Sequence, residues 1–416
     1  MDRNNRKKRE NGRDGILVLQ KKQKWIGMKY GALTALYWMG FGFIVNYAAV
    51  QLQSRGISNT SIGVLISVSA VLSVLIQAGP ASLVDRFRGV SIKLALGVMT
   101  VIVLAAGILY MECGESPLLL PAYAVMMAVT NAMSSLIYSM AMEYRNCRVD
   151  FNVGVCRSVG SFFCGTVCML AGFLVRKHGA GILLPMMLVN DLLFLLTAAS
   201  MENPRNYVEG NPETGGAPVK KGGGYTEFFR KYQGILLLMA GFTLLYMSGS
   251  ALTSFQINVI RRVGGDEATL GIINGIGPYA EIPVMAGFVF LLSRFGSKTL
   301  LRVSTVFYIL RILGYCFAGN PQILISVSLL QGVSYGLFTM SSVYYMNEIT
   351  KPEDNAKGQA LLGSVTTGFS SILASLLGGL LIDRLGVQAM LYVCVAFTAA
   401  GAALIWYCTA FRTERR

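Results

Sequence analysis

Gly172-Phe-Leu-Val-Arg-Lys-His-Gly179 and Gly379-Leu-Leu-Ile-Asp-Arg-Leu-Gly386 stand about 207 residues apart, and each ends an apolar run on a charged turn. At nearly the same offset Leu83-Val-Asp-Arg-Phe-Arg-Gly89 meets Leu291-Leu-Ser-Arg-Phe-Gly-Ser297, and Glu143 meets Glu348. One short match carries little weight. Three in register point to a duplicated chain, the internal symmetry expected of membrane bundles built twice.

Working outward from these repeats, apolar runs lie near 28-53, 60-83, 90-111, 118-142, 151-175, 181-200, 234-259, 268-293, 299-318, 321-346, 358-382 and 388-411. Each is long enough to cross a hydrocarbon core about 30 Å thick. Of the 416 residues 54% are hydrophobic and 14% charged, against about 25% charged in soluble domains, which excludes a water-soluble protein. The expected fold is an all-α integral membrane protein of twelve transmembrane helices in two six-helix bundles. The segment 201-233, with six Gly and three Pro, divides the spans equally and reads as a linker. The expected organisation is a basic tail 1-27, a bundle 28-200, the linker 201-233, a bundle 234-411 and a short tail 412-416.

The net charge of +15 has to be located before it is interpreted. Pooling alternate loops puts 28 Lys and Arg on the side of both termini and 6 on the other. By the positive-inside rule both termini are cytoplasmic, in a multi-pass protein of the cell's inner membrane. The basic excess is a topology signal, so the lipid bilayer is the expected partner and nucleic acid is not. The first 24 residues hold nine Lys or Arg and one apolar patch, Ile16 to Leu19, too short for a signal-peptide core. The eight cysteines fall in or beside apolar runs without metal-ligand spacing and read as packing residues. No metal and no cofactor are expected.

The repeats carry a resemblance to the major facilitator superfamily, from about Trp25 onward. That family's signature between helices 2 and 3 runs Gly-x-Leu-x-Asp-Arg-x-Gly-Arg-Arg; Leu83, Asp85 and Arg86 match it, Ala81 replaces the glycine and Arg88-Gly89 transposes the tail. The second copy keeps Arg294, Gly296 and Lys298, with Ser293 for the acid. Within the superfamily the sequence is similar to the lactose permease and related sugar and nucleoside proton symporters, at Gly154-Val-Cys-Arg157-Ser-Val-Gly160, at Glu281-Ile-Pro-Val-Met285, and at Ser293-Arg-Phe-Gly296 followed by Arg311. The resemblance implies a monomeric secondary transporter working by alternating access, with a small polar solute and a proton as partners. It further implies that Asp85, Arg86, Glu143, Arg145, Arg294 and Glu348, at cytoplasmic helix ends, form a salt-bridge network closing the outward-facing state. Solvated charges of little individual worth are the plainer reading of the same residues.

Four ionisable residues lie well inside predicted spans: Arg157, Asp191, Glu281 and Arg311. Each would cost roughly 2.5 to 3.5 kcal/mol at a helix centre on insertion scales, so they are expected to face the bundle interior or a water-filled cavity. At about 1.5 Å rise per residue, Glu281 and Arg311 are level, roughly 18 Å in. Asp191 and Arg157 differ by only about 5 Å in depth, a gap that an arginine spans. Two fixed ion pairs and a solute or proton site both fit this placement. Glu281, with Arg311 and Asp191, is assigned to proton coupling, and Arg157 to solute binding. The lactose permease bears Lys, His and Glu on helix 10, where this chain has Gln331, Ser334 and Leu337, so coupling here would rest on Glu281 and Asp191.

Asn46, Gln51, Asn131, Gln256, Asn274 and Gln331 complete the candidate solute site, with Asn258 beside them, because amides donate and accept at once. Interhelical hydrogen bonding explains any single one of them as well. Tyr37, Trp38 and Tyr47 have the rings to stack on a solute or to anchor at an interface. Gly332-Val-Ser-Tyr-Gly336 spells a nucleophile elbow, yet it lies in mid-span, and the only histidine, His178, lies in a loop. No serine hydrolase and no enzyme is expected. No span shows the ring-forming filter of a channel. A drug/proton antiporter on the same fold stays as the alternative reading, and a non-transporting receptor as a distant one.

Overall fold

The computed structural model describes residues 25–86, 91–114, 116–146, 149, 151–202, 225–351 and 354–411. Ten helices in it are long and apolar enough to cross a membrane. The first and eighth spans complete the set of twelve. Span 1 is a helix over 25–41, a π-turn Gly42–Asn46 and a helix Ala48–Gln53. Span 8 is Glu267–Ala286, with two internal prolines, continuing from Phe288 to a break at Gly296, whose φ is 72°. These two carry the polar and irregular residues that lower their hydropathy.

The other spans are Asn59–Arg86 (2), Ile92–Glu112 (3), Leu119–Asn146 (4), Val153–His178 (5), Leu183–Ser200 (6), Ile235–Ser254 with Gln256–Arg262 (7), 297–317 (9), Pro321–Ile349 (10), Asn355–Leu385 (11) and Val387–Phe411 (12). Their starts are marked chemically. Ser91, Asn152, Asp266 and Asn320 each accept the backbone N–H three residues on, filling one of the free donors at a helix N-terminus. Gly179 and Gly386, equivalent in the repeat, end spans 5 and 11 at φ 82° and 85°, a conformation that costs a residue with a Cβ far more. Valines and leucines such as Val64, Val68, Val71, Leu94 and Val98 are exposed, forming the surface that meets lipid.

Within the 201–233 segment, the described residues 225–233 hold a short helix, Tyr225–Lys231. It docks on the second bundle. Phe228 is buried, Lys231 and the Tyr232 hydroxyl reach the Asp354 carboxylate at 2.5 and 3.1 Å, and the Lys351 amide donates to the Tyr232 hydroxyl at 3.0 Å. The Lys231 ammonium, with Tyr232 and Lys357, holds the Asp354 carboxyl below the usual range.

The two halves meet through span 5 on span 8 and span 2 on span 11. Both seams are closest at the face opposite the termini. A Cβ on Gly63 would stand 2.1 Å from the Ser375 carbonyl oxygen, and one on Gly379 would stand 2.2 Å from that of Asn59. Gly172 and Gly271 are matched in the same way, backbone on backbone, between spans 5 and 8. Small residues of this kind let membrane helices approach until dispersion and weak Cα–H contacts hold them.

Candidate functional site

Glu281 of span 8 and Arg311 of span 9 do come together, but through a third residue. The Gln331 amide of span 10 donates from Nε2 to Glu281 Oε1 at 2.8 Å and accepts at Oε1 from an Arg311 terminal nitrogen at 2.7 Å. Local backbone explains how an amide fits there. A Cβ on Gly277 would lie 2.8 Å from the Gln331 amide, and one on Gly332 would lie 2.1 Å from the Ala280 carbonyl oxygen. Gly332–Gly336, the stretch that mimics a nucleophile elbow, is a π-turn, a widening of the helix often found where side chains are re-aimed at a site. Arg311 is 5% exposed and its Nε has no hydrogen-bond partner. Three protein groups thus form a relay in which only the ends are charged.

Arg157, on span 5 of the first half, stacks its guanidinium 3.9 Å from the Trp38 ring centroid and donates to Ser161 Oγ at 2.7 Å. A cation over an indole face is favourable where water is sparse. The guanidinium has five N–H donors, and among the described residues its side-chain hydrogen bonding goes to Ser161 alone. Tyr279 of span 8 shares a 2.6 Å hydrogen bond with Thr166 and stacks on Phe162 of span 5.

Arg157 and Asp191, close enough in depth for an arginine to span, have separate partners. Span 1 separates them: Trp38 faces Arg157, whereas Gly40, on the other face, abuts Asp191 and Asn190. Equal depth says nothing of which side of a helix a residue occupies. The direct Glu281–Arg311 pair is likewise replaced by the Gln331 relay.

The remaining amides divide. Gln51 is buried and its Nε2 donates to the Phe43 carbonyl oxygen inside the π-turn of span 1. Gln256 is buried on the Tyr315 hydroxyl, and Asn46 reaches Cys168 Sγ at 3.5 Å. Asn131 and Asn274 are half-buried. The rings Tyr37 and Tyr47 are buried with their hydroxyls on the carbonyls of Thr130 and Cys168. Of the residues expected to form a gate on the terminal face, the side chains of Asp85, Arg86 and Arg145 lie outside the described residues. Glu143 is half-buried, Arg294 is exposed over the Phe295 ring, and Glu348 accepts from Ser297 within the second half.

At the opposite face the polar ties between halves are explicit. Asp383, near the end of span 11, accepts from Asn59 Nδ2 at 2.7 Å and from the Thr60 amide and hydroxyl at 2.6 and 2.7 Å. Arg176, near the end of span 5, pairs with Asp266 at 3.1 Å. Gln53 donates to Asn258, Asn258 to Asn59, and Arg261 to Gln53. Burial works against the Asp266 charge, but the Thr269 amide and hydroxyl, then Arg176, outweigh it and hold the carboxyl below its usual range. Asn258 was noted in the sequence as an amide, but the latch was missed because loop charges resemble solvated ones. The register of the repeat offered a clue, since Arg176 and Asp383 are equivalent positions.

The MFS_1 like family matches residues 28–393. The maltose permease of Geobacillus stearothermophilus is 26% identical over 362 residues, 85% of this chain and 87% of that protein. Sugar efflux transporter A of Dickeya chrysanthemi is 22% identical over 172 residues, 41% of this chain and 43% of that one. Among solved structures the fold is similar to the nucleoside transporter NupG, at a TM-score of 0.76 and 15% identity, covering 94% of this chain and 100% of that chain. It is also similar to a bacterial metal transporter, at 0.65 and 14%, covering 92% and 98%.

Proposed function

The chain belongs to the MFS_1 like family of secondary transporters, and from that premise we propose that it carries a small polar solute, sugar- or nucleoside-like, by alternating access, with a proton. The observation behind this reading is the Glu281–Gln331–Arg311 relay of the second half, together with the Arg157 guanidinium stacked on Trp38 in the first. A solute with hydroxyls or ring amides finds on one side a stacked guanidinium with spare donors. On the other it finds a carboxylate and an amide that accept. In this reading one bound solute touches Arg157 in the first half and the relay in the second.

The halves are tied at the face opposite the termini. If the termini are cytoplasmic, as the charge distribution argues, this is the state closed to the outside. Glu281 is the coupling acid of the proposal. Deprotonated, it is balanced by Arg311 through Gln331; a solute competing for Gln331 would alter that balance and with it the affinity for a proton. Counterflow of labelled sugars and nucleosides in proteoliposomes, with the chain acting as a monomer, tests the reading. One polar class should exchange saturably, and Arg157→Ala should lose that exchange. Movement of lipophilic cations instead, or no exchange of any polar solute, overturns it.

A further inference from the structure

Span 6 carries an acid that the line of charges does not use. Asp191 is 8% exposed and its neighbour Asn190 4%. Asn190 Nδ2 donates to the Leu36 carbonyl oxygen at 3.0 Å and to Asp191 Oδ1 at 3.2 Å. Asp191 Oδ2 and Asn190 Oδ1 are left buried, and neither has a hydrogen-bond partner. Span 1 backs onto both groups at Gly40, where a Cβ would stand 3.0 Å from Asn190 Nδ2 and 3.1 Å from Asp191 Oδ1.

Among the described residues, no charged or titratable group on the helices around it, spans 1 and 3, makes a hydrogen bond or ion pair to Asp191. On span 1, Lys29 donates to the Ser200 carbonyl oxygen, and Tyr30, Tyr37 and Tyr47 to those of Ile137, Thr130 and Cys168. On span 3, Lys93 donates to the carbonyls of Ala199 and Met201, Tyr110 lies under Arg55, and Glu112 ends the helix. Arg157 lies across span 1 on Trp38 and Ser161. An ionised Asp191 would therefore sit inside the membrane with no counter-charge among the described residues and one oxygen without a donor, a costly arrangement for a carboxylate there. A bound proton removes both defects, because the neutral acid has no charge to desolvate and gains an O–H that can serve a buried acceptor or an enclosed water.

We propose that Asp191 and Asn190 form a proton-binding site in the first half, separate from Glu281, in which Asp191 holds its proton in the conformation described here. The lid of the site is span 1 at Gly40, two residues before the π-turn Gly42–Asn46. A local shift of that turn would admit water to the carboxyl, so proton release is tied to movement of span 1. The proposal stands whichever solute is carried and whether or not Glu281 couples.

Infrared difference spectroscopy on the purified full-length protein, prepared with ordinary and with isotope-labelled aspartate, tests it. At neutral pH a carboxylic-acid C=O band should shift with the label, disappear in Asp191→Asn and be the same in sodium as in potassium. Asp191→Asn, close in shape to the neutral acid, should melt no lower than wild type at neutral pH and higher at alkaline pH, where wild type must keep its proton or bury a bare charge. Absence of an aspartate acid band in wild type overturns the proposal, as does a band that sodium abolishes, which would assign the site to sodium. Should Asp191→Asn fail to fold, Asp191→Glu replaces it, and an aspartate band that persists there is equally fatal.

Discussion

The two halves end equivalent spans on equivalent glycines, Gly179 and Gly386, and differ in chemistry. At the offset of about 207 residues, Arg176 corresponds to Asp383 and Asn59 to Asp266. The contacts Arg176–Asp266 and Asp383–Asn59/Thr60 each tie the end of one span to the start of another across the seam, but the first uses a base on an acid and the second an acid on amide, hydroxyl and backbone donors. In the membrane interior the divergence is complete. Glu281, Arg311 and Gln331 fall opposite Val74, Leu104 and Ala124, while Asp191 and Asn190 fall opposite Thr398 and Phe397. Duplication therefore preserved what both copies need, the close approach of helices at one face. Ionisable groups, expensive in lipid, are placed in each half for a separate task.

The sharpest way to break this division is to neutralise the second half's acid. Glu281→Gln keeps the amide-like shape and cannot titrate. Uphill accumulation under a proton gradient should fall at least tenfold while counterflow persists; continued accumulation would show that the relay is structural. Arg157→Ala removes donors that a charged group supplies, worth about 1.5–3 kcal/mol in net terms, so solute affinity should drop roughly ten- to hundredfold. Unchanged binding would place the solute elsewhere.

The latch offers a finer comparison. Asp383→Ala deletes three hydrogen bonds at an exposed position and should favour opening of the opposite face by roughly 1 kcal/mol, about fivefold. Arg176→Ala breaks an exposed pair worth about 0–1 kcal/mol and should do less. Accessibility of single cysteines introduced beside the two sites reads both, and equal effects would mean that the halves are tied symmetrically. The smallest effect expected is that of acid. A carboxyl whose folded value is depressed contributes above its ordinary range and loses that contribution only as pH falls through the lower folded value. Asp266 should therefore hold its partners unchanged from neutrality down to about pH 5. Opening within that window, abolished by Asp266→Asn, would contradict the assignment.

Much of this could be read from residues alone, for physical reasons. Twelve spans follow from hydropathy, and the duplication from stretches in register. Glu281 and Arg311 are conspicuous because charge is rare in lipid, and their equal depth follows from helical rise. Gln331 is different. An amide in a span is unremarkable until three helices and a π-turn fix its rotation, so its role as a bridge depends on packing. That Arg157 and Asp191 do not pair is hidden for the same reason, since depth follows from helical rise and azimuth does not. Asp383 lies within the repeat yet reads as any loop charge, because its partners are more than three hundred residues away in sequence.

Gly63 and Gly379 impose a further consequence, on heredity. Every missense change at either codon adds at least one carbon atom where a carbonyl oxygen already stands, and no side chain is present to move aside. Val64, Val68 and Val71 on the same helix point into lipid, where any apolar residue serves. A single turn of span 2 should thus hold, side by side, a position at which variation is lethal to closure and one at which it drifts freely. A library randomised over residues 62–72 and selected for transport would recover that alternation.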